Sequence, residues 1–162
     1  MFSRSPLLVL VLALAACASE PDYADDMREQ HDGDTPEASG AAEGADALNV
    51  VREDVVYATV GGEDVTGTLI RPADASGPLP AVIVIHEWWG LNDNVRDMTA
   101  KLAAEGYLAL AVDLYSGETA DTPEAAMGLM RGAMDRSDAL TDNLEQAYAY
   151  LATTEQSPAV AS

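Results

Sequence analysis

An α/β fold, a mostly parallel sheet flanked by helices, is what residues 49 to 162 predict, and three observations predict it. Ala81-Val82-Ile83-Val84-Ile85 is a continuous β-branched run of the kind buried on both faces of a parallel sheet. A helical apolar stripe follows it, and Leu108 to Val112 is a second apolar run. Strand, helix, strand in that order makes a right-handed crossover with the two strands parallel.

Ahead of that unit, Asp54 to Val60 and Val65 to Ile70 are β-rich and meet across Gly61-Gly62. Such a pair accepts the positive φ angles of a tight hairpin turn, and Arg71-Pro72 ends the second strand. After Ile85, Asn92 or Asp93 caps a helix whose apolar face is Val95, Met98, Leu102 and Ala103, with Gly106 as its C-terminal stop. Thr122-Pro123 opens a second helical stretch with Ala126, Met130, Ala133 and Met134 on one side, the methionines serving as core filler. Leu140, Leu144, Ala147, Tyr148 and Leu151 line a later helix. Gln156 to Ser162 then reads as the approach to a further strand, so the domain is expected to be truncated.

The 162 residues carry 8 basic and 28 acidic side chains, a net charge of −20. That balance argues against a nucleic-acid or anionic-membrane surface, since both would repel it. Residues 18 to 48 hold ten acids and one base with no apolar periodicity, which predicts an acidic, disordered tether. Residues 1 to 17 have the layout of a secretory signal: a basic start, an apolar core from Leu7 to Leu14, then Ala15-Ala16-Cys17. The core is too short to span a bilayer, which takes roughly 20 apolar residues. Leu14-Ala15-Ala16-Cys17 resembles the bacterial lipobox, which implies acylation of Cys17, export and a lipid anchor. Ser19, standing where an aspartate would retain a lipoprotein, favours the outer membrane, with the domain in the periplasm or outside the cell. Cys17 is the chain's one cysteine, so no intrachain disulfide is available.

In an open parallel sheet, chemistry gathers at the C-terminal ends of the strands. His86-Glu87-Trp88-Trp89-Gly90-Leu91-Asn92 stands at such an end. Together with Pro80 to Ile85, Arg96-Asp97, Gly106-Tyr107 and Asp113-Leu114-Tyr115, this segment resembles the dienelactone hydrolase family over roughly residues 50 to 160. The resemblance implies an α/β-hydrolase fold acting on a small ester or lactone, with no cofactor. It implies a cysteine nucleophile in a Gly-x-Cys-x-Gly elbow beyond Ser162, then an aspartate and a histidine. By position, Glu87 matches the glutamate that contacts the nucleophile, and the backbone N–H of Trp88 matches one of two oxyanion donors. Trp88-Trp89 is bulkier than is common after that glutamate, and the family's substrate-holding arginines have no clear counterpart in Arg131 or Arg136, which read as exposed helix residues.

His86 reads as structural, because the catalytic histidine of α/β-hydrolases comes last in chain order. His86-Glu87 is no zinc motif, since Gly90 occupies the place of a second histidine. Ser116, in Tyr-Ser-Gly, lacks the first glycine of a nucleophile elbow and reads as a loop residue. Glu87 is alternatively a solvated or capping carboxylate, and the tryptophans alternatively core. Two other functions stay open: a non-catalytic lipid-anchored binding or scaffold protein, and a serine-dependent esterase or peptidase on the same fold.

Overall fold

The computed structural model describes residues 23 to 154. The expected signal segment, Cys17 and the expected strand approach at Gln156 to Ser162 lie outside the described residues. The elements run α1 (Tyr23–Gln30), β1 (Val50–Val60), β2 (Glu63–Pro72), β3 (Ala81–Ile85), α2 (Asp93–Ala104), β4 (Leu108–Val112), α3 (Pro123–Met134) and α4 (Ser137–Thr153). Two short 3-10 turns, Gly40–Ala42 and Ala45–Ala47, precede β1.

The α/β class holds. The strands lie in the order β1-β2-β4-β3; β1 with β2 and β2 with β4 are antiparallel, and β3 with β4 is the parallel pair. Gly61 and Gly62 turn the β1–β2 hairpin with φ of 62° and 88°, the two positive values a primed turn needs. β3 departs from its expected double burial: Ala81 and Ile85 are exposed and the residues between them half-buried. Among the described residues it is an edge strand, paired through one side by β4, whereas all five residues of β4 are buried. A β-branched run looks the same in either place, and neighbours decide how much of it is covered.

The side chains of β4 divide the core in two. Leu108, Leu110 and Val112 pack with Val65, Leu69, Ala147 and Leu151 beneath α4. On the opposite face Ala109 meets Ile70, Ala100 and Ala103, and Ala111 meets Leu91 and Val95 beneath α2. This is period-two alternation along one strand, with alanines on the side where α2 comes close.

The caps hold where the sequence puts them. The Asn92 side chain accepts from the Val95 N–H and the Thr122 side chain from the Ala125 N–H, with Pro123 at the first helical position. The helix faces rotate slightly from expectation. α2 buries Val95, Thr99, Ala100 and Ala103 and leaves Leu102 exposed; α3 buries Met127 and leaves Met134 exposed; α4 buries Asn143, Ala147 and Leu151 and leaves Tyr148 exposed. Thr99 enters the core because its hydroxyl donates to the Val95 carbonyl at 2.7 Å.

The tether expected over residues 18 to 48 needs correcting in its described part. α1 lies against α3, and both 3-10 turns lie on α2, with Ala42 and Ala45 buried. The Ser39 N–H donates to Asn94 Oδ1 at 2.7 Å, Lys101 Nζ donates to the Glu43 carbonyl, and Arg52 Nη2 donates to the Ala45 carbonyl. A segment with little apolar surface of its own is held by polar groups of the domain it crosses, a term that composition does not register.

One irregularity organises the end of β4. Register slips between Val56 and Ala58, so Tyr57 is the extra residue of a β-bulge, and Tyr57 and Ala58 are both buried in succession. Gly67, which pairs with Val55, lies beneath the Tyr57 ring: a Cβ there would run into the Ala111 carbonyl oxygen and stand 2.9 Å from that ring. The Tyr57 hydroxyl accepts from the Asp113 N–H at 3.1 Å and donates to Asn143 Oδ1 at 2.7 Å. Asn143 Nδ2 donates in turn to the Asp113 carbonyl at 2.9 Å. A hydroxyl has one proton, so the Asp113 carbonyl, also 3.1 Å from that hydroxyl, takes its donor from Asn143.

Burial pushes the Tyr57 phenol from 10.0 up to about 12; its hydrogen bonds with the Asp113 backbone and the Asn143 side chain oppose the rise and the charge of Asp113 adds to it. The folded state therefore favours the neutral phenol. Its contribution is fully present below pH 10 and is lost as pH climbs towards 12, an effect of about 2–3 kcal/mol. Denaturant titrations from pH 8 to 12 should show stability level to about pH 9 and then falling. Tyr57→Phe should lower stability by roughly 1–3 kcal/mol at pH 8, through orphaned polar partners, and flatten the alkaline fall. Some slope will remain, because burial also raises Tyr115 and Tyr150. Parallel curves for the two proteins would contradict this reading.

Candidate functional site

The C-terminal ends of β3 and β4 lie side by side, Ile85 opposite Val112, and the candidate site is built from the residues that leave them. His86 is the first. Its Nε2 accepts the Leu114 N–H at 3.1 Å, so the ring proton sits on Nδ1, which donates to the Glu87 carbonyl at 2.6 Å. The ring meets Tyr115 edge-on at 4.6 Å between centroids. His86 is thus a clip joining two strand ends, the structural part the sequence assigned it.

Beyond it the chain turns sharply. The Gly90 N–H donates to the Glu87 carbonyl at 3.2 Å, and the Asn92 N–H to the Gly90 carbonyl at 2.9 Å. Gly90 has φ 89°, and a Cβ there would come within 2.6 Å of the Glu118 carbonyl oxygen. Both facts demand glycine. The neighbouring loop is tied on by the Ala120 N–H donating to the Trp89 carbonyl at 3.0 Å. Glu87 itself is exposed. The N–H of Trp88 donates to no group among the described residues.

Trp89 is buried with Ala120 and Ala126, and Trp88 is half-buried against it, their rings 4.7 Å apart. The bland reading of these side chains as core thus describes Trp89 well. Trp88 also meets the His31 ring, tilted by 51° at 4.7 Å between centroids. Sequence reasoning missed His31, because contact over such a separation leaves no periodic signal.

The second strand end is equally constrained. The Asp113 carboxylate accepts the Tyr115 N–H at 2.8 Å through one oxygen and the Gly117 N–H through the other. Asp113 is buried, and this local ring of donors is what permits it. Asp113 with Ser116-Gly117 three and four residues on carried a readable turn signal. Ser116, with φ 57°, is an exposed loop residue inside that turn.

Arg96 braces the site from behind: it donates to the Leu91 carbonyl at 2.9 Å and to Thr68 Oγ1 at 3.3 Å. Thr68 passes its own proton to Asp54 at 2.9 Å. Arg131 and Arg136 are both exposed, as expected of helix-surface residues. An open groove of about 640 Å³ crosses the ends of β2 and β4 between Arg96, Ser116 and Leu140. Glu87 and Trp88 are not among its walls, so the structure brings the nominated pair together in one turn and leaves the groove beside it.

A model of the dienelactone hydrolase family matches residues 65 to 161. A protein of Aquifex aeolicus (strain VF5) named carboxymethylenebutenolidase is 39% identical over 89 residues, covering 53% of this chain and 37% of the relative. One of the same name from Escherichia coli (strain K12) is 40% identical over 86 residues, covering 50% and 31%. Among solved structures, m3DLH is 28% identical with a TM-score of 0.61, and a dienelactone hydrolase from Klebsiella pneumoniae subsp. pneumoniae MGH 78578 is 28% identical with a TM-score of 0.55. Each alignment covers 68% of this chain and 46% of the other. The chain thus spans about a third of the length of these curated relatives and under half of these solved chains. With the family match covering more than half of its residues, and the fold matching that of solved members, the chain belongs to the dienelactone hydrolase family.

Proposed function

We propose that the protein is a hydrolase of small esters or lactones that works by acyl transfer. The observation that carries this is the turn from Glu87 to Gly90, which sets a solvent-facing carboxylate and an N–H that no other described residue engages at the C-terminal end of β3 in a chain of this family. An N–H so placed stabilises charge that develops on a carbonyl oxygen only in the transition state, an effect of roughly 3 kcal/mol. The attacking atom is a cysteine thiolate in a Gly-x-Cys-x-Gly elbow carried by the part of the fold that follows α4. It adds to the carbonyl carbon, the electron pair moves to the oxygen facing Trp88, and collapse breaks the ester C–O bond while the histidine that follows the elbow, holding the thiol's proton, protonates the leaving alkoxide. Water then releases the acid. Glu87 contacts the nucleophile and sets its state.

Residues 18 to 162 alone should therefore not turn over an activated ester. Extended through the elbow and the aspartate and histidine that follow it, the chain should hydrolyse 4-nitrophenyl acetate, and Glu87→Gln should slow it by roughly 10²-fold. Hydrolysis by residues 18 to 162 that depends on Glu87 would overturn the assignment of the nucleophile. An elbow-extended protein with no turnover would favour a binding or scaffold protein, and serine in the elbow an esterase or peptidase.

We also propose that Cys17 is acylated after export and holds the domain at the bacterial membrane, the outer membrane being favoured. The support is Leu14-Ala15-Ala16-Cys17 at the end of a short apolar core. Stable anchoring takes two or more acyl chains, since one binds only marginally. Metabolic labelling with a palmitate analogue should mark the wild type and not Cys17→Ser; equal labelling would refute the anchor.

A further inference from the structure

The stretch from His31 to Leu48 crosses the domain from the candidate site to the start of β1. Four separate contacts hold it. The His31 ring lies 4.7 Å from the Trp88 ring, and its Nδ1 is 2.8 Å from Asp34 Oδ2, which orients the imidazole. The Ser39 N–H reaches Asn94, Lys101 reaches the Glu43 carbonyl, and Arg52 reaches the Ala45 carbonyl. Ala42 and Ala45 are buried on α2. Three of the domain's polar side chains, spaced along its path, thus satisfy backbone groups of a segment that otherwise has little to bury.

The location gives this packing a consequence. The Trp88 ring has both Trp89 and His31 against it, each at 4.7 Å and tilted, and it is the residue whose N–H stands at the end of β3. A group that takes the place of His31 beside the Trp88 indole must displace the segment His31 belongs to. We infer that residues 31 to 48 form a strap that walls the Trp88 side of the site, with His31 as a specificity-determining residue that restricts the enzyme to esters and lactones carrying a compact group on that side. The restriction rests on the hydrolase reading above; the docking of the strap does not.

The two claims are tested separately. Trp88 and Trp89 are the chain's two tryptophans, so all indole emission comes from the site. Acrylamide quenching of the purified chain should rise roughly twofold in His31→Ala, and comparably in the double variant Asn94→Ala/Lys101→Ala, which frees the strap without touching His31 or Trp88. In a Trp88→Phe background, where only buried Trp89 emits, neither change should matter. Circular dichroism checks that each variant is folded. Quenching equal to wild type in His31→Ala would overturn the docking, and a rise in that variant without one in the double variant would overturn the strap as a unit. In the elbow-extended chain, His31→Ala should raise kcat/KM for 4-nitrophenyl octanoate relative to the acetate by roughly tenfold. An unchanged ratio would overturn the wall. Absence of any hydrolysis in the wild type would sink the hydrolase reading and the specificity with it, while the quenching result on the strap would stand.

Discussion

Everything at the functional end of this domain depends on how β4 stops. A strand buried over its whole length delivers Asp113, a charged residue, to the edge of the core, where each polar atom needs a partner inside the protein. The partners come from four directions. Tyr57 and Asn143 serve the backbone of Asp113, the N–H groups of Tyr115 and Gly117 serve its carboxylate, and His86 accepts from the next residue, Leu114. Among the described residues no buried side-chain nitrogen or oxygen is left without a partner. The bulge in β1 and the glycine in β2 follow from this need: the first turns Tyr57 inward, and the second clears room for its ring.

The turn beyond β3 inherits that order. His86 holds the Glu87 carbonyl with one ring nitrogen and the end of β4 with the other, so Glu87 and Trp88 leave a point fixed in two dimensions. Gly90 and the Trp89–Ala120 bond fix the third by pressing the turn onto the loop before α3. Donors that are to meet a developing oxyanion act best when they need not reorganise, and a turn held at both ends meets that condition. The residues that hold the turn are thus ordinary structural ones, a histidine, a tyrosine, an asparagine and two glycines.

Much of this was legible in the sequence, for identifiable reasons. Gly61-Gly62, Asn92, Thr122-Pro123 and Gly106 act through local backbone geometry, which a short window contains in full. The segment from His86 to Asn92 was legible because it stands at the end of a strand and carries the family's motif, and Gly90 and Asn92 take up there a positive φ and a helix cap. The rest depends on partners remote in the chain. Nothing local distinguishes the edge strand at Val82 to Val84 from the centre at Leu108 to Val112, because burial is set by neighbours. The bulge at Tyr57 shows only when β1 is laid against β2, and its purpose only when β4 is in place. Residues 39 to 48 looked unstructured because composition weighs a segment's own apolar surface and omits the donors and acceptors offered by Asn94, Lys101 and Arg52.

The claim that side chains lock the end of β4, and through it the site, is tested most directly by amide hydrogen exchange across residues 108 to 118 of the wild-type protein. The N–H groups of Leu114, Tyr115 and Gly117 donate to His86 and Asp113, whereas that of Ser116 donates to no group among the described residues. The first three should exchange at rates approaching those of β4, with Ser116 fast between them, a pattern no generic loop produces. Uniformly fast exchange from Leu114 to Gly117, beside a protected β4, would contradict the account.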